Sequence, residues 1–420
     1  MSPAPDPVAI VQPAVLVVGG GPAGLTAAAA LARTTRGEVL VLDREQNAGG
    51  IPRHSDHPGY GIRDLGRFLA GPAYARRLIA AARAAGVTIR TRAMVTGWTP
   101  DGAAEVTTPQ GRIRVQAKAT ILATGARERP RPARLVPGDR PDGVYTTGQL
   151  QNLVHLHHGT PGSRAVVVGA ELVSWSAVLT LRRSGCRTVL MTTEHSSPES
   201  YAAFATAGRL ALRTPVATRT RVVDLIGKGR LEAVVIENVD TSARRTIAGD
   251  AVVFTGDWIP DHELVRLAGI DIDPHTLGPT VDTALRTSRP GVFAAGNLVH
   301  PVDTADVAAL DGRHVATQVA AYLAGTRRQD RAVRVLVDEP LRWVAPSLLR
   351  DGDPAPARHR LLLWTNELVR RPHVGITQDG REIAHRRLPW PASPGRVFRI
   401  PSDLLDNADF SAGDITIRVR

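Results

Sequence analysis

The stretch that decides the fold is Val15-Leu-Val-Val-Gly-Gly-Gly-Pro-Ala-Gly-Leu25, where an apolar run meets a glycine-rich turn. Residues 14–18 predict a buried strand, and the segment after the turn predicts a helix through about Arg33. A second apolar run at residues 38–42 predicts another buried strand. Strand, helix and strand in this order indicate a β-α-β unit with a parallel sheet.

The turn has the spacing G-x-G-x-x-G, which suits a dinucleotide. Gly19 permits the tight turn, Gly21 lets the backbone approach a pyrophosphate, and Gly24 lets the helix pack closely on the sheet. The helix N-terminus presents free N–H groups and a positive dipole end to phosphates. Asp43 follows the next strand, nineteen residues after Gly24, and can accept hydrogen bonds from a ribose hydroxyl. This fingerprint predicts dinucleotide binding and leaves FAD and NAD as alternatives.

A second unit of the same kind begins near residue 165. Residues 165–168 predict a strand, 172–184 a helix and 187–191 another strand. Further strand-like runs lie at 120–123, 251–255 and 291–295. Two such units in one chain predict an α/β fold with two Rossmann-like dinucleotide-binding domains.

The predicted domains follow from these units. Residues 14–150 and 251–325 form the first domain, which is interrupted by the second domain at residues 151–250. Residues 326–331 are a polar, arginine-rich stretch that indicates a linker. Short alternating segments separated by turn residues predict a small β-rich domain at residues 333–420.

Composition limits the function. The 420-residue chain carries a formal net charge of +12, almost all of it from arginine, since Lys118 and Lys228 are the only lysines. The arginines are scattered and are not interleaved with aromatic residues, which argues against nucleic-acid binding. A positive surface would instead attract acidic substrates or an acidic electron-transfer partner. Residues 1–13 hold four prolines and predict a disordered lead-in.

Cysteine usage excludes one kind of redox chemistry. Cys186 is the only cysteine, so no disulfide can form within the chain, and too few thiolates exist for an iron–sulfur cluster of the usual type. The apolar run at residues 14–32 lacks the basic start of a signal peptide and contains a glycine cluster that a membrane span disfavours. We therefore expect a cytoplasmic protein without membrane insertion.

Three segments together resemble the FAD-site signatures of the pyridine-nucleotide-disulfide oxidoreductase superfamily. They are the N-terminal fingerprint, Thr120-Ile-Leu-Ala-Thr-Gly125 and Gly291-Val-Phe-Ala-Ala-Gly-Asn297. The resemblance implies FAD as cofactor, a three-layer ββα flavoprotein fold, and contacts of Gly296 and Asn297 with the ribityl and phosphate groups. Asn297 stands where the superfamily usually has aspartate, so a hydrogen-bonding oxygen is kept and a charge is lost. The implied cofactor-binding residues are Gly19, Gly21, Pro22, Ala23, Gly24, Asp43, Arg44, Gly50, Ile51, Ala123, Thr124, Gly125, Gly296, Asn297 and Thr304.

A finer resemblance rests on residues 123–130 and 49–51. Both segments are similar to the flavoprotein subunits of opine oxidase, hydrogen cyanide synthase and related amine or imino-acid dehydrogenase complexes. Those relatives commonly carry a cysteine-rich, cluster-binding tail that this chain lacks. The resemblance therefore implies a small-molecule substrate and a separate electron-accepting or iron–sulfur subunit. Formation of an oligomer is compatible with it.

The second glycine turn is degraded. Gly169-Ala-Glu-Leu-Val-Ser174 keeps only the first glycine. Glu171 stands where the backbone would approach a pyrophosphate, so its bulk opposes phosphate binding, and its charge also opposes it if the carboxyl group is ionised. Glu194, after the next strand, could still meet a ribose hydroxyl. Two interpretations remain, an NAD(P)H site or a retained fold that no longer binds this nucleotide tightly, and we expect the second.

The candidate catalytic residues are Arg53, His54 and His300. Arg53 and His54 follow the predicted flavin loop and could bind a carboxylate substrate or stabilise the negative charge of reduced flavin; the alternative is an ordinary surface loop. His300 is a residue type suited to proton transfer, or it is structural. Asp303, Thr304 and Asp306 open a helix that could direct N–H groups at the flavin; the alternative is that Thr304 or Asp303 is simply its N-cap.

The sequence predicts no metal site. His155, His157 and His158 cluster, but no nearby carboxylate pair completes a ligand set, so we interpret them as a solvated loop. The pattern predicts an FAD-dependent oxidoreductase, either a dehydrogenase or an electron-transfer subunit, whose substrate is a small amine, imino acid or hydroxy acid. The alternatives are an NAD(P)H-dependent flavin reductase of a small acceptor and a non-catalytic subunit with structural FAD.

Overall fold

The first unit is built on a parallel sheet. The computed structural model describes residues 9–326 and 331–420. The strands of this first sheet are, in spatial order, Val292–Ala294, Ala119–Leu122, Val15–Val18, Val39–Leu42 and Thr88–Arg90. The central strands are buried along their whole length, which is why their sequences are nearly continuous apolar runs rather than alternating ones. The predicted β-α-β unit is confirmed.

Helices cover one face of the first sheet. Their bounds are Pro22–Thr34, Ile62–Leu65, Gly71–Ala84 and Ala305–Leu323, and 3₁₀ turns occupy Ile51–His54 and Gly296–Leu298. Helices Pro22–Thr34 and Ala305–Leu323 touch at Gly312, where an added Cβ would lie 2.2 Å from the carbonyl oxygen of Ala23. Only glycine permits that approach. Across the described ranges, no helix combines the length and the apolar character needed to cross a membrane.

A cover sheet packs on the other face. Its strands are, in spatial order, Ala9–Val11, Gly111–Val115, Ala104–Thr108 and Met94–Trp98. Val95, Val106 and Val115 share the hydrophobic core with the first sheet, which completes the expected ββα layers. Ala9–Val11 pairs with Gly111–Val115, so backbone hydrogen bonds order the chain from Ala9 and correct the predicted lead-in at 1–13. Residues 1–8 lie outside the described residues.

The second unit repeats the plan. Its sheet consists of Val144–Thr146, Ala251–Phe254, Arg164–Val168, Arg187–Thr192 and Val216–Ala217 in spatial order. The accompanying helices are Thr147–Gln151, Leu172–Arg183 and Ala202–Leu212, with a π-helical turn at Asn152–Leu156. An antiparallel meander follows at Thr220–Ile226, Ala233–Asn238 and Arg244–Ala248. The chain crosses between the units at the antiparallel pair Ala126–Glu128 and Trp258–Pro260, ahead of the short helix Glu263–Leu267.

The strand pairing of the second sheet differs from the predicted division into domains. Ala251–Phe254 pairs with Arg164–Val168 inside the second sheet, and Val144–Thr146 pairs with Ala251–Phe254. The second unit therefore includes strands that the sequence assigned to the first domain at residues 14–150 and 251–325. A hydrophobic run predicts that a strand exists, but it does not tell which of two similar sheets the strand joins.

The C-terminal β-region, residues 331–420, is rich in strands as predicted. One sheet holds Leu348–Arg350, Ala332–Val337, Ile415–Val419, His373–Gln378 and Arg381–Arg387, and another holds Leu341–Ala345, Arg360–Thr365 and Phe398–Pro401. Trp343 and Leu362 join the core of the first unit, so this region is docked on that unit. The predicted linker at 326–331 falls largely on residues 327–330, outside the described residues.

Buried charges reinforce this docking. Asp282 is 1% exposed, and its carboxylate lies 2.8 Å from Arg286 Nε and 3.2 Å from Arg350 Nε. Arg286 also contacts Asp353. Arg350 and Asp353 belong to the C-terminal β-region, whereas Asp282 and Arg286 belong to the first unit. Because a buried charge that loses its partner is strongly destabilising, these pairs stabilise the packing of the C-terminal β-region against the first unit.

We predict that Gly312→Ala destabilises the fold by about 1–3 kcal/mol, the range for overpacking a close contact. Alanine is more favourable in a helix than glycine by about 1 kcal/mol, which would stabilise the variant. A net loss of stability therefore shows that the close contact with Ala23 outweighs helix propensity. Urea unfolding measures the difference. Thr317→Ala, on the exposed face of the same helix, is the control and should change stability by no more than about 0.5 kcal/mol. A stabilised Gly312→Ala variant would contradict the close contact.

Candidate functional site

The first glycine turn is tight because backbone atoms occupy the places of side chains. Gly19 has φ +109°, and an added Cβ would lie 2.3 Å from the carbonyl oxygen of Ala123. At Gly24 an added Cβ would lie 2.0 Å from the carbonyl oxygen of Gly19. The fold itself therefore requires both glycines. Pro22 opens the helix at a position where its missing N–H leaves no helical hydrogen bond unmade.

Gly21 differs from the other glycines of the turn. Its added Cβ would meet no described atom closer than the Cα of Gly50, at 4.0 Å. The fold alone would accept a side chain at Gly21, so a bound group lying against the backbone explains the glycine better. The first N–H groups of helix Pro22–Thr34 lie at the same turn, which suits a diphosphate. Gly50 has φ +62° and lies opposite, and Ile51 beside it is 48% exposed.

Asp43 is placed to hold a ribose. Its side chain is buried and accepts hydrogen bonds from the N–H groups of Gly20 at 2.9 Å and Glu45 at 2.8 Å. Burial raises the pKa of this carboxyl group above its usual value. A carboxylate offers about four lone-pair sites, so acceptor sites remain for hydroxyl donors. The predicted cofactor residue Arg44 instead contacts Asp261 at 3.0 Å, in the crossing between the units.

The other predicted signatures meet the turn at the same sheet edge. The Thr124 hydroxyl donates to the carbonyl oxygen of Asp261 at 2.8 Å, and Gly125 has φ +77°. Gly296 has φ +71°, and an added Cβ would lie 2.9 Å from the Cβ of Ala23. Their strands are neighbours in the first sheet, and parallel strands bring their carboxyl ends to one edge, where ligands bind in such folds.

Asn297 carries a polar atom that the protein leaves unsatisfied. Its Nδ2 donates to the carbonyl oxygen of Asp303 at 3.1 Å, whereas its Oδ1 is buried without a hydrogen-bond partner in the described structure. An unpaired buried acceptor costs about 1–3 kcal/mol. A hydroxyl donor on a bound cofactor would remove this cost, so the residues present fit such a group.

Thr304 is the N-cap residue of helix Ala305–Leu323. Its hydroxyl accepts a hydrogen bond from Arg63 Nη1 at 3.1 Å and contacts Asp306. Asp306 is buried and also accepts from the N–H of Arg63 at 3.0 Å. Asp306 opens this helix as the sequence predicts, whereas Arg63 was not singled out, because no local pattern marks a contact between segments so far apart in the chain.

We call the glycine turn at residues 19–24, with the residues around it that could hold a dinucleotide, the first cradle. Arg53 lies on the side of this cradle where Asp43 is found. Its Nη2 is 3.6 Å from Glu45 Oε2, and its charge also acts on Asp43. Its Nε is buried and lacks a hydrogen-bond partner within the part of the chain that is described. This placement favours contact with a cofactor over the expected contact with a substrate.

His54 is buried between the two units. Burial, followed by the nearby charge of Arg53, lowers the pKa of His54 to about 4. The imidazole is therefore neutral at physiological pH, so it can form hydrogen bonds but does not supply the positive charge that a carboxylate substrate was expected to meet. Its Nδ1 is buried and unpaired among residues 9–326 and 331–420.

A polar network lies beside His54. The Ser55 hydroxyl is 3.0 Å from His57 Nε2 and 3.4 Å from Gln151 Nε2. Gln151 also donates to the Ser176 hydroxyl at 2.8 Å. The network joins the loop after the first glycine cradle to helices of the second unit, and nothing local in the sequence indicates it.

His155 departs from the solvated-loop interpretation. It lies half-buried in the π-helical turn Asn152–Leu156, with Nε2 3.4 Å from the Thr180 hydroxyl. Its neighbours His157 and His158 are exposed, as expected. The difference arises because a helical turn directs one of the three side chains toward the adjacent helix.

His300 is buried, and its Nε2 lies 2.5 Å from Asp311 Oδ2. Arg358 of the C-terminal β-region contacts the other oxygen of Asp311 at 2.5 Å. Burial opposes ionisation of Asp311, but the charges of His300 and Arg358 hold its pKa below the usual value. This pairing favours the structural interpretation of His300, which anchors the loop that follows Asn297.

The second glycine turn is filled by its own side chain. Glu171 is the N-cap residue of helix Leu172–Arg183, and its carboxyl oxygens would lie 2.2 Å from a Cβ added to Gly256. The Ser174 hydroxyl accepts a hydrogen bond from the N–H of Glu171 at 3.1 Å. Burial, together with the charge of Glu199, raises the pKa of Glu171 to about 8. The helix end that would face a phosphate thus faces a carboxyl group of the chain.

Cys186 is a core residue. It is a buried free thiol, and burial raises its pKa to about 12. A thiol held protonated in this way is a poor nucleophile. Within the residues that the structure describes, no group of three or more His, Cys, Asp or Glu side chains is arranged to hold a metal ion.

Known proteins are similar to this chain in sequence and in fold. The family model described as pyridine nucleotide-disulphide oxidoreductase matches residues 13–312. An opine oxidase subunit of Agrobacterium tumefaciens (strain Ach5) is 27% identical over 338 residues, which cover 74% of this chain and 65% of that subunit. The corresponding opine oxidase subunit of Rhizobium meliloti (strain 1021) is 26% identical, with 96% of this chain and 95% of that protein covered. The crystal structure of T. acidophilum thioredoxin reductase has a TM-score of 0.64 at 22% identity, covering 75% of this chain and 99% of that one.

These similarities confirm the resemblance to the superfamily and to opine oxidase subunits, and they confirm the α/β fold with its C-terminal β-rich region. The match covers less than two thirds of the Agrobacterium protein's own length. The likeness to the reductase, at 22% identity, bears on the fold alone.

Glu171 and Glu199, at the second turn, should contribute a free energy of unfolding that falls as the pH rises. Burial raises the pKa of Glu199 to about 7 and contributes most to the value of about 8 for Glu171, against an ordinary value of 4.5. Between those values the unfolded chain has released protons that the native state still holds, so rising pH favours unfolding. Arg134 faces Glu171 and partly offsets its shift, whereas Glu128 and Asp257 add to it.

Raising the pH from about 5 to about 8 should lower the melting temperature of the wild type relative to that of the Glu171→Gln/Glu199→Gln variant, because glutamine does not titrate. The lowered pKa values of His54, His57, His155 and His195 act in the opposite direction in both proteins, so the difference between the two proteins is the quantity to compare. Differential scanning calorimetry at matched ionic strength measures both. Glu194→Gln, which changes an exposed carboxylate nearby, should keep the wild-type pH dependence. Equal pH dependence in the wild type and the double variant would show that the two buried groups are not the cause.

Proposed function

This chain belongs to the pyridine nucleotide-disulphide oxidoreductase family of flavoproteins, and on that premise we propose that it is an FAD-dependent dehydrogenase or electron-transfer subunit. Its proposed electron donor is a small amine, imino acid or hydroxy acid. The observation that carries the proposal is the contrast between the first cradle, at residues 19–24, and the second cradle, which is the glycine turn at residues 169–174. The first leaves Gly21 bare, whereas the second places the carboxyl group of Glu171 where a pyrophosphate would lie.

The first cradle supplies the contacts that FAD needs. Asp43 offers acceptors for a ribose, and the helix that begins at Pro22 directs N–H groups and a positive dipole end at a diphosphate. Asn297 Oδ1 offers a buried acceptor to a hydroxyl of the ribityl chain. Arg53, with an unpaired Nε near Asp43, adds a positive charge on the same side.

The chemistry of the flavin, when bound, is acceptance of a hydride equivalent from the substrate. The chain contributes orientation and a controlled proton environment around it. His54 is held neutral by burial, so it can accept or donate a hydrogen bond at a substrate amine without repelling a protonated one. Thr304 and Asp306, fixed by Arg63, hold a helix start whose N–H groups would stabilise negative charge on a bound, reduced flavin.

The substrate class is proposed from the relatives together with the closed second cradle. The relatives in Agrobacterium and Rhizobium are named as opine oxidase subunits, which supports an amine or imino-acid donor. Each is named as one component of an oxidase, which supports a partner protein here. Because Cys186 is buried, we propose that a separate acceptor, an iron–sulfur protein, a quinone or oxygen, receives the electrons.

We predict that Asn297→Ala weakens FAD retention about tenfold, the loss of a hydrogen bond of about 1.4 kcal/mol. Asn297→Asp keeps the Oδ1 acceptor and should retain FAD nearly as well as the wild type. Dialysis followed by FAD titration, monitored by flavin fluorescence, gives the dissociation constants. If both variants lose FAD equally, the contact is made by Nδ2 or by neither atom, and the assignment of Oδ1 is wrong.

We further predict that NADH and NADPH leave the bound flavin oxidised under anaerobic conditions, whereas at least one amine, imino acid or hydroxy acid bleaches it. The physical reason is that the side chain of Glu171 fills the helix start of the second cradle and leaves no space there for the nucleotide's phosphates. Stopped-flow absorbance over a donor panel measures the rates, and dithionite confirms that the flavin can be reduced. Fast bleaching by NADH would establish the reductase alternative. A flavin that no donor reduces would support a structural role.

A further inference from the structure

A turn of the C-terminal β-region lies on the second glycine cradle. Gly395 has φ +74°, and an added Cβ would lie 2.4 Å from the Cβ of Glu199 and 3.0 Å from the Cγ of Glu171. These contacts join residues 392–396 to the start of helix Leu172–Arg183. Glycine at position 395 therefore serves close approach as well as turn geometry.

The turn is held in place from both sides. Ala392 exchanges backbone hydrogen bonds with Val369, at 2.8 and 3.0 Å. Ala392 and Ser393 are buried. Arg396 places its guanidinium 4.6 Å from the ring centroid of Tyr201, a cation–π contact with the second unit. The turn is thus an ordered part of the interface between the C-terminal β-region and the second unit.

The second cradle is closed from within by its own residues. Glu199 is buried, and its Oε1 accepts a hydrogen bond from the Thr193 hydroxyl at 2.9 Å. The N–H of Ser200 donates to the carbonyl oxygen of Ala170 at 3.1 Å. The segment around Ser200 therefore folds over the glycine turn, and Gly395 packs on top of that segment. The raised pKa values of Glu171 and Glu199 agree with a dry, filled space.

We propose that the turn at residues 392–396 is a built-in occupant of the second dinucleotide cradle and excludes nicotinamide nucleotides from it. The choice of electron donor then depends on the C-terminal β-region, and not only on the missing glycines. This inference rests on the proposed function, in which electrons reach the flavin from a donor other than NAD(P)H. A dinucleotide would have to displace the turn and also find space for its phosphates beside the side chains of Glu171 and Glu199, on which Gly395 packs.

Hydrogen exchange tests the contact directly. Gly395→Val cannot keep the present approach, so exchange of the amides at 170–174 and 199–201 should speed up about tenfold or more. Gly380→Val is the matched control, because Gly380 has φ +78° in the same region and no described atom lies within 4 Å of its added Cβ. Unchanged protection at 170–174 and 199–201 in Gly395→Val would overturn the proposal. Exchange in strand Arg164–Val168 reports whether the second unit remains folded.

Nucleotide binding separates the turn from the missing glycines. The Glu171→Gly/Ser174→Gly variant restores the fingerprint and should still fail to bind NADH or NADPH, whereas adding Gly395→Val should raise the affinity at least about tenfold. Calorimetric titration with each nucleotide gives the constants. Equal affinity in the double and triple variants would overturn the proposal. Flavin content, read from absorbance, tests the proposed function independently, since neither experiment here requires a bound flavin.

Discussion

The constraint on which the molecule depends is that helix Pro22–Thr34 has backbone contacts on two sides. Gly24 lets it rest on the strand that precedes it, and Gly312 lets a helix from much later in the chain rest on Ala23. Neither contact has room for a methyl group. Because of this double contact, the signature at Gly296 reaches the first glycine turn, and the three strand ends form a single cradle. The cradle is therefore a property of the tertiary fold, and the glycine motif supplies only part of it.

The two units show that the same architecture does not imply the same ligand. Both have a parallel sheet, a glycine with positive φ after the first strand, and a helix starting at the turn. In the first unit the helix start is bare, so its N–H groups remain available to an anion. In the second unit Glu171 caps the helix, and the anion site is satisfied by the chain itself. The difference between Gly21 and Glu171, together with the packing around each, leaves the first turn open and closes the second.

Local patterns in the sequence predicted the elements and the first glycine turn well. Apolar runs such as those ending at Val18 and Leu122 specify buried strands wherever they occur, and glycine spacing specifies the turn. The sequence could not indicate which sheet accepts Ala251–Phe254, since two similar sheets compete for it. It also missed Arg63 with Asp306, because that pairing depends on three-dimensional proximity alone. The neutral state of His54 was missed for a similar reason, since burial and not residue type sets its charge.

The docking of the C-terminal β-region has a mechanical consequence. That region places Trp343 in the first core, joins Arg358 to Asp311, and sets Gly395 against the second unit. The C-terminal β-region thus contacts both the first and the second unit and links them to each other. Rotation of one unit against the other would break buried packing and expose charges, so these contacts oppose such a motion. A ligand held in the first cradle would then keep its position relative to both units.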